Sequence, residues 1–289
     1  MGSEMCIRDR ASPLLFTDGE IHLATWTTRA PGGFTDAQTE GIESIVAPLA
    51  RVAEVRALRR TATNLLDTYV GNQAGERILA GAIRRGHAEA IHAAIWLSDM
   101  RGFTLLADRA PPQTLLELLN EYFDCQVPAI LKHGGEVLKF MGDGLLAIFP
   151  MGARLDPGEV CARALAAAYE ARGNIAALNQ PTRTGIGVVR FGLALHVGKV
   201  LYGNIGGGNR LDFTCIGPAV NLAARLEKLA GKLGRVIVAS DEFASHCRAD
   251  FQPLGKFPLA GFASELNVFG ASDEASSPVS TTSDTSTEN

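Results

Sequence analysis

Two aspartates, each placed where an apolar run meets a glycine, constrain this chain more than any other feature. The stretch from Leu97 to Phe149 opens with Ser98-Asp99-Met100-Arg101-Gly102-Phe103-Thr104 and closes on Lys139-Phe140-Met141-Gly142-Asp143-Gly144 and a further apolar run. Ile91 to Leu97 is apolar and β-prone, so Asp99 should end a buried strand, and Gly102 lets the backbone bend tightly after it. Val137 to Phe140 and Leu145 to Phe149 read as two strands joined by the hairpin composition Gly142-Asp143-Gly144, which puts Asp143 at a turn tip. With the first strand beside that hairpin, both carboxylates converge at one sheet edge. Two hard oxygen donors there suit Mg²⁺ carrying substrate phosphates. Taken singly, an Asp at a strand end or in a turn is more often structural, so the pair draws its weight from the rest of the chain.

Downstream elements set a frame for that pair. Pro111-Pro112 opens a helix with Leu115, Leu118, Leu119, Tyr122 and Phe123 at core spacing, running to near His133-Gly134-Gly135. Gly158 to Leu178 is an alanine-rich helix, Gln180 to Gly187 a loop, and Phe191 to Leu195 with Lys199 to Ile205 a strand pair around Val197-Gly198. From Ala219 to Leu233, Leu222, Leu226, Leu229 and Leu233 make a buried stripe, while Asn221 and Arg225 stand one turn apart on another face. Val236 to Ala239, a short helix near Asp241 to Cys247, and Leu266 to Phe269 complete the series. This order predicts an α+β fold, a ferredoxin-like palm (βαββαβ) covered by helices and preceded by a helical linker.

The flanks read differently. Met1 to Arg10 contains Met-Cys-Ile-Arg-Asp-Arg, which looks like a translated sequencing-adapter fragment, so residues 1–10 are set aside from fold reasoning and the true N-terminus is expected to be missing. Residues 11–51 hold a strand, Ile21 to Thr27, the turn Pro31-Gly32-Gly33, and a helix opening at Thr35 whose apolar positions include Ile42, Ile45, Val46 and Leu49. They resemble the last strand and closing helix of a GAF-like sensory domain; an N-terminal cap packed on the following domain is the alternative. Residues 52–89 read as a helical linker and signal-transmitting element, and residues 271–289, rich in Ser, Thr, Asp and Glu, as a disordered tail. With 27 basic against 31 acidic residues, nothing electrostatic calls for nucleic acid. Five cysteines, odd in number and without CxxC spacing, argue against a zinc site or disulfide framework and favour the cytoplasm; no apolar run is long enough to span a bilayer in this fragment.

Three motifs, Ser98 to Thr104, Lys139 to Gly144, and Asp212-Phe213-Thr214-Cys215-Ile216-Gly217-Pro218-Ala219-Val220-Asn221-Leu222-Ala223-Ala224-Arg225-Leu226-Glu227, together resemble the class III nucleotide cyclase catalytic domain over residues 90–270. The resemblance implies two Mg²⁺ or Mn²⁺ ions per active site, held by Asp99 and Asp143 with Met100, that activate a 3′-hydroxyl to attack the α-phosphorus of a nucleoside triphosphate. By the same resemblance, backbone amides through Gly102, Phe103 and Thr104 cradle the phosphates, Arg225 stabilises the transition state, and Asn221 orients the ribose.

Base choice rests, by resemblance, on Lys139 and Thr214. Adenylate-specific members carry Lys, and Asp or Thr, at these positions, whereas guanylate-specific members usually carry Glu and Cys. Cys215 stands next door, but counting back from Asn221 puts Thr214 in register. The substrate expected is ATP, and the Thr resembles the class IIIb-like subclass that includes bicarbonate-stimulated cyclases, which makes bicarbonate a candidate activator. The family builds each site across a dimer interface, with Asp99 and Asp143 from one protomer and Lys139, Thr214, Asn221 and Arg225 from the other; a homodimer follows. Leu259-Ala260-Gly261 departs from the Leu-Lys-Gly of many relatives, with Lys256 and Arg210 as the cations that could compensate. The competing readings are a guanylate cyclase and a catalytically silent nucleotide-binding module. A diguanylate cyclase and a P-loop NTPase lack their motifs here.

Overall fold

The computed structural model describes residues 8–152, 155–179, 188–207, 210–247, 250–262 and 264–274, and the chain divides into two compact units between Tyr69 and Val70. In the first unit, β1 (Arg8–Leu15) and β2 (Ile21–Thr28) form an antiparallel hairpin, followed by α1 (Asp36–Val70). Arg8, Asp9 and Arg10, set aside on sequence, pair with Thr28, Thr27 and Trp26. Thr35 caps α1 as a reciprocal box: its hydroxyl accepts from the Gln38 amide at 3.3 Å while its own amide donates to Gln38 Oε1 at 2.9 Å. The helix runs unbroken through the expected boundary at 51/52. Leu14, Phe16 and Ala50 make a small core, whereas Val55, Leu58, Leu65 and Tyr69 stay exposed.

The second unit begins with α2 (Asn72–Leu79) and is built on an eight-stranded mixed sheet. Its elements follow as β3 (Ala88–Met100), α3 (Phe103–Ala107), α4 (Pro112–Asp124), α5 (Val127–Lys132), β4 (Glu136–Met141), β5 (Gly144–Met151), α6 (Pro157–Leu178), β6 (Phe191–Gly207), β7 (Arg210–Ile216), α7 (Pro218–Lys232), β8 (Ile237–Ser240), α8 (Asp241–Ala244), β9 (Phe251–Phe257) and β10 (Leu266–Ala271). The order across the sheet is β4-β5-β3-β6-β8-β10-β9, with β7 also paired to β6. Within it, β3, α3 to α5, β4, β5, α6 and β6 make the expected βαββαβ palm. Period-two alternation sends Ala94, Trp96, Leu193 and Leu195 to one face, under α4, α5 and α6, and Ala93, Ile95 and Leu97 to the other, near α7.

Four differences from the sequence reading have local causes. The strand pair expected around Val197-Gly198 is one seventeen-residue strand, β6. Gly198 is there for packing, not turning, since a Cβ at that position would lie 2.5 Å from Ala219 Cβ. The pairing partner of its distal half is β7, with Gly203 opposite Thr214 and Gly207 opposite Arg210. The helix after Pro112 breaks at Cys125 and Gln126, because Pro128 lacks the N–H that a continuous helix would use. At the C-terminus, Ala271 is buried in the core and Glu274 accepts from the amides of Val236 and Ile237, both at 2.9 Å, so the folded chain extends past residue 270. Gln180 to Gly187 and residues 275–289 lie outside the described residues.

If β6 is continuous because Gly198 admits α7, then Gly198→Ala should lower stability by about 1–3 kcal/mol, the usual cost of overpacking a close contact. Urea unfolding should show an earlier midpoint with an unchanged slope.

Candidate active site

Asp99 stands at the end of β3, where pleating divides neighbouring side chains between the faces. Ser98 points inward and donates to Gln126 Oε1 at 2.6 Å, with the Trp96 indole N–H 3.3 Å from the same hydroxyl. That buried chain pins the strand end and leaves Asp99 half-buried on the other side. The two-residue loop Gly142-Asp143 closes the adjacent hairpin, with Met141 paired to Gly144 and Gly142 at φ 66°, a left-handed value that glycine adopts freely. Gly144 lies under the Asp99 carboxylate: a Cβ there would sit 3.2 Å from Asp99 Oδ1. The two expected metal ligands, Asp99 and Asp143, are thereby brought within hydrogen-bonding reach.

Burial first, then the neighbouring Asp143 carboxylate, raises the Asp99 pKa to about 6, with Arg101 and Lys228 pulling the other way. Two facing carboxylates that favour a proton between them also favour a divalent cation in its place. Among the described residues no group of three or more His, Cys, Asp or Glu side chains converges, so the protein would supply two carboxylates and leave most positions to water and phosphate oxygens. That is the manner in which Mg²⁺ is commonly held at phosphate sites, and the donor set fits it. Met100 buries its side chain in the core, leaving only its backbone to face an ion. Gly102, at φ 74°, leads into α3, whose first turn contains Phe103 and Thr104 and has no side-chain cap.

The second cluster lies around β7. A bulge between Val137 and Lys139 in β4 turns Leu138 toward the α7-side core and re-aims Lys139, which forms an ion pair with Asp212. Alternation along β7 then separates two neighbours: Phe213 and Cys215 are packed in the core, while Thr214, itself buried, falls on the alternate side with Asp212. Asn221 and Arg225 are exposed on α7. No hydrogen bond or ion pair among the described residues joins Lys139, Thr214, Asn221 or Arg225 to Asp99 or Asp143. Ala260 is exposed, Lys256 pairs along β9 with Asn267, and Arg210 stands opposite Gly207, none of them tied to Asp99 or Asp143.

Sequence reasoning missed three residues. Lys228 continues the exposed face of Asn221 and Arg225 at helical spacing and acts on the Asp99 charge, a periodicity that was available to be read. Arg101, partly exposed, and the buried Glu227 form an ion pair, Nη1 to Oε1 at 2.8 Å, that spacing alone does not announce.

A family model for the adenylate and guanylate cyclase catalytic domain matches residues 87–269. The chain is 29% identical over 177 residues to adenylate cyclase 1 of Rhizobium meliloti, covering 60% of this chain and 26% of that protein. It is 29% identical over 188 residues to an adenylate cyclase of Anabaena cylindrica, covering 64% and 36%. An uncharacterized protein of Mycobacterium tuberculosis is 35% identical over 175 residues, covering 59% and 31%. The chain thus spans between 26% and 36% of the length of these curated relatives. Among solved structures, the adenylyl cyclase CyaB from P. aeruginosa aligns with a TM-score of 0.59 at 26% identity, over 65% of this chain and 96% of that one. The guanylyl cyclase Cya2 aligns with a TM-score of 0.55 at 26% identity over the same shares. A bacterial light-regulated adenylyl cyclase shares the fold at a TM-score of 0.64 and 24% identity, over 79% and 65%.

The raised Asp99 pKa sets a sign. A folded carboxyl that keeps its proton above its unfolded value costs stability as pH rises from about 4 through about 6, since the unfolded chain ionises first. Asp143→Asn removes the neighbouring charge and should lower the Asp99 midpoint, read by carboxyl-carbon NMR. In the unchanged protein, Mn²⁺ affinity should climb across the same window and binding should release protons.

Proposed function

This chain belongs to the adenylate and guanylate cyclase catalytic domain family, and we propose that within it the chain is an adenylate cyclase, converting ATP to 3′,5′-cyclic AMP and pyrophosphate at sites shared across a homodimer. The observation that carries the reading is the meeting of Asp99 and Asp143 over Gly144 beside the uncapped first turn of α3, an arrangement that offers two hard donors next to a helix start. Two bound Mg²⁺ or Mn²⁺ ions would neutralise the triphosphate and lower the pKa of the attacking 3′-hydroxyl. Asp99 and Asp143 hold that charge at the reacting phosphate, and the amides around Gly102, Phe103 and Thr104 orient the leaving pyrophosphate. Arg225, planar and always charged, meets the α-phosphate as negative charge develops, and Asn221 fixes the ribose.

ATP is favoured over GTP by Lys139 and Thr214. Lys139 pairs with Asp212, which falls on the same side of β7 as Thr214, and this supports a common base pocket; the packing of Cys215 with Phe213 on the alternate side supports the register that gives the pocket a Thr. Lys139 would donate to adenine N1; guanine presents an N–H there, which a cation would oppose. The homodimer is supported by Lys139, Thr214, Asn221 and Arg225, which have no hydrogen bond or ion pair to Asp99 or Asp143 among the described residues. It is also supported by α1, where exposed Val55, Leu58, Leu65 and Tyr69 repeat with the three- and four-residue spacing that suits a second copy of the same helix. On this reading the linker before the catalytic domain sets the relation of two protomers and so transmits a signal, with bicarbonate as a candidate activator and the cytoplasm as compartment. Among the described residues no helix is long and apolar enough to cross a membrane.

The likeness to a guanylyl cyclase structure keeps cyclic GMP as the second reading. Purified chain supplied with ATP and GTP side by side, in Mg²⁺ or Mn²⁺, should yield cyclic AMP from ATP, with activity abolished in Asp143→Ala. Cyclic GMP instead would overturn the base assignment, and no product from a dimer that binds nucleotide would favour the silent module.

A further inference from the structure

Arg101 lies two residues beyond Asp99, and its side chain runs inward to α7. Its Nη1 is 2.8 Å from Glu227 Oε1 and its Nη2 donates to the Glu227 carbonyl oxygen at 2.9 Å, while its backbone N–H donates to the Arg190 carbonyl at 2.7 Å. Two glycines open the path. A Cβ on Gly192 would lie 1.8 Å from Arg101 Nη2, and one on Gly231 would lie 3.0 Å from the guanidinium carbon. The opening is thus made by β6 on one side and α7 on the other. Glu227 is almost wholly buried, with 3% of its side chain exposed. Burying a carboxylate is costly unless it is paired; here burial outweighs the facing Arg101 and pushes the Glu227 carboxyl up to about 7, while the guanidinium stands against both its carboxylate and its carbonyl.

The geometry carries more than local stability. Asp99 and Arg101 share the end of β3 and the turn into α3, and Glu227 follows Asn221 and Arg225 along α7. We propose that Arg101 and Glu227 are positioning residues: their ion pair locks the turn that carries Asp99 to the helix that carries Asn221 and Arg225. The inference rests on the cyclase reading for the roles of those three residues. In a homodimer with shared sites, the turn serves one active site and the helix the other. The pair therefore ties each chain's two half-sites into one body, and its loss should loosen both at once. The guanidinium is needed for its fork, because one nitrogen takes the carboxylate while a second takes the carbonyl, a bridge Lys cannot span.

The test uses the full chain with Glu227→Gln, which keeps the shape and removes the charge, and Arg101→Lys, which keeps the charge and removes the fork. The double replacement Arg101→Met with Glu227→Met guards against simple misfolding, since an apolar pair commonly substitutes for a buried ion pair without loss of fold. Hydrogen exchange is read first. Amides of residues 101 to 106 should exchange at least about tenfold faster in all three variants, because the opening of a local segment follows its local free energy. Direct Mn²⁺ titration should show affinity weakened about fivefold or more in Glu227→Gln, with the ATP concentration at half-maximal rate little changed and turnover reduced. Arg101→Lys should fall between Glu227→Gln and the unchanged chain. Unchanged exchange and Mn²⁺ affinity in a folded Glu227→Gln chain would overturn the proposal. Exchange does not depend on catalysis, so accelerated exchange in a chain that makes no cyclic nucleotide would uphold the lock and count against the cyclase reading alone.

Discussion

Two-sided pairing of β3 is the constraint from which the rest of the catalytic unit follows. Its residues pair with β6 from Ala88 to Met100 and with β5 from His92 to Ser98, so the strand can neither slide nor rotate without breaking two ladders. A slip of one residue would exchange Ser98 for Asp99, putting the carboxylate against Gln126 in the core and the hydroxyl beside Asp143. The Ser98–Gln126 hydrogen bond and the buried Trp96 penalise that slip. Because β5 is both the register partner of β3 and the second strand of the hairpin, the same ladder that places Asp99 also places Asp143.

The site is built at strand ends and turns, and is most exacting where backbones come close. Gly144 leaves room for the Asp99 carboxylate, Gly198 for α7, and Gly192 with Gly231 for Arg101. Each is small because a neighbour from a distant part of the chain occupies the space. The electrostatics follow the same plan. Burial and the facing Asp143 raise the Asp99 pKa, while Arg101 and Lys228 pull it the other way.

Legibility from sequence divides along sequence separation. The palm, the two aspartates, the hairpin and the polar face of α7 could be read because each rests on periodicity or turn chemistry within a few residues. Gly198 could not be read correctly, since Val-Gly resembles a turn until Ala219 is known to lie against it. The Lys139–Asp212 pair spans 73 positions and the Arg101–Glu227 contact 126, and no local pattern reports either. β7 was hidden for a related reason: its residues Arg210 to Ile216 alternate weakly, and its identity as a strand comes from pairing with β6. The base specificity and the dimer are expectations of family resemblance, whereas the expectation of Mg²⁺ starts from the placement of the two aspartates.

The central claim is that one chain carries two half-sites that belong to different active sites. Mixing Asp143→Ala chains with Arg225→Ala chains tests it directly, each variant being inactive alone. If sites are shared, random pairing restores one intact site in about half of the dimers, so activity should recover to about a quarter of the unmutated protein. Mixtures that stay as inactive as the separate variants, while exchanging subunits freely, would contradict it.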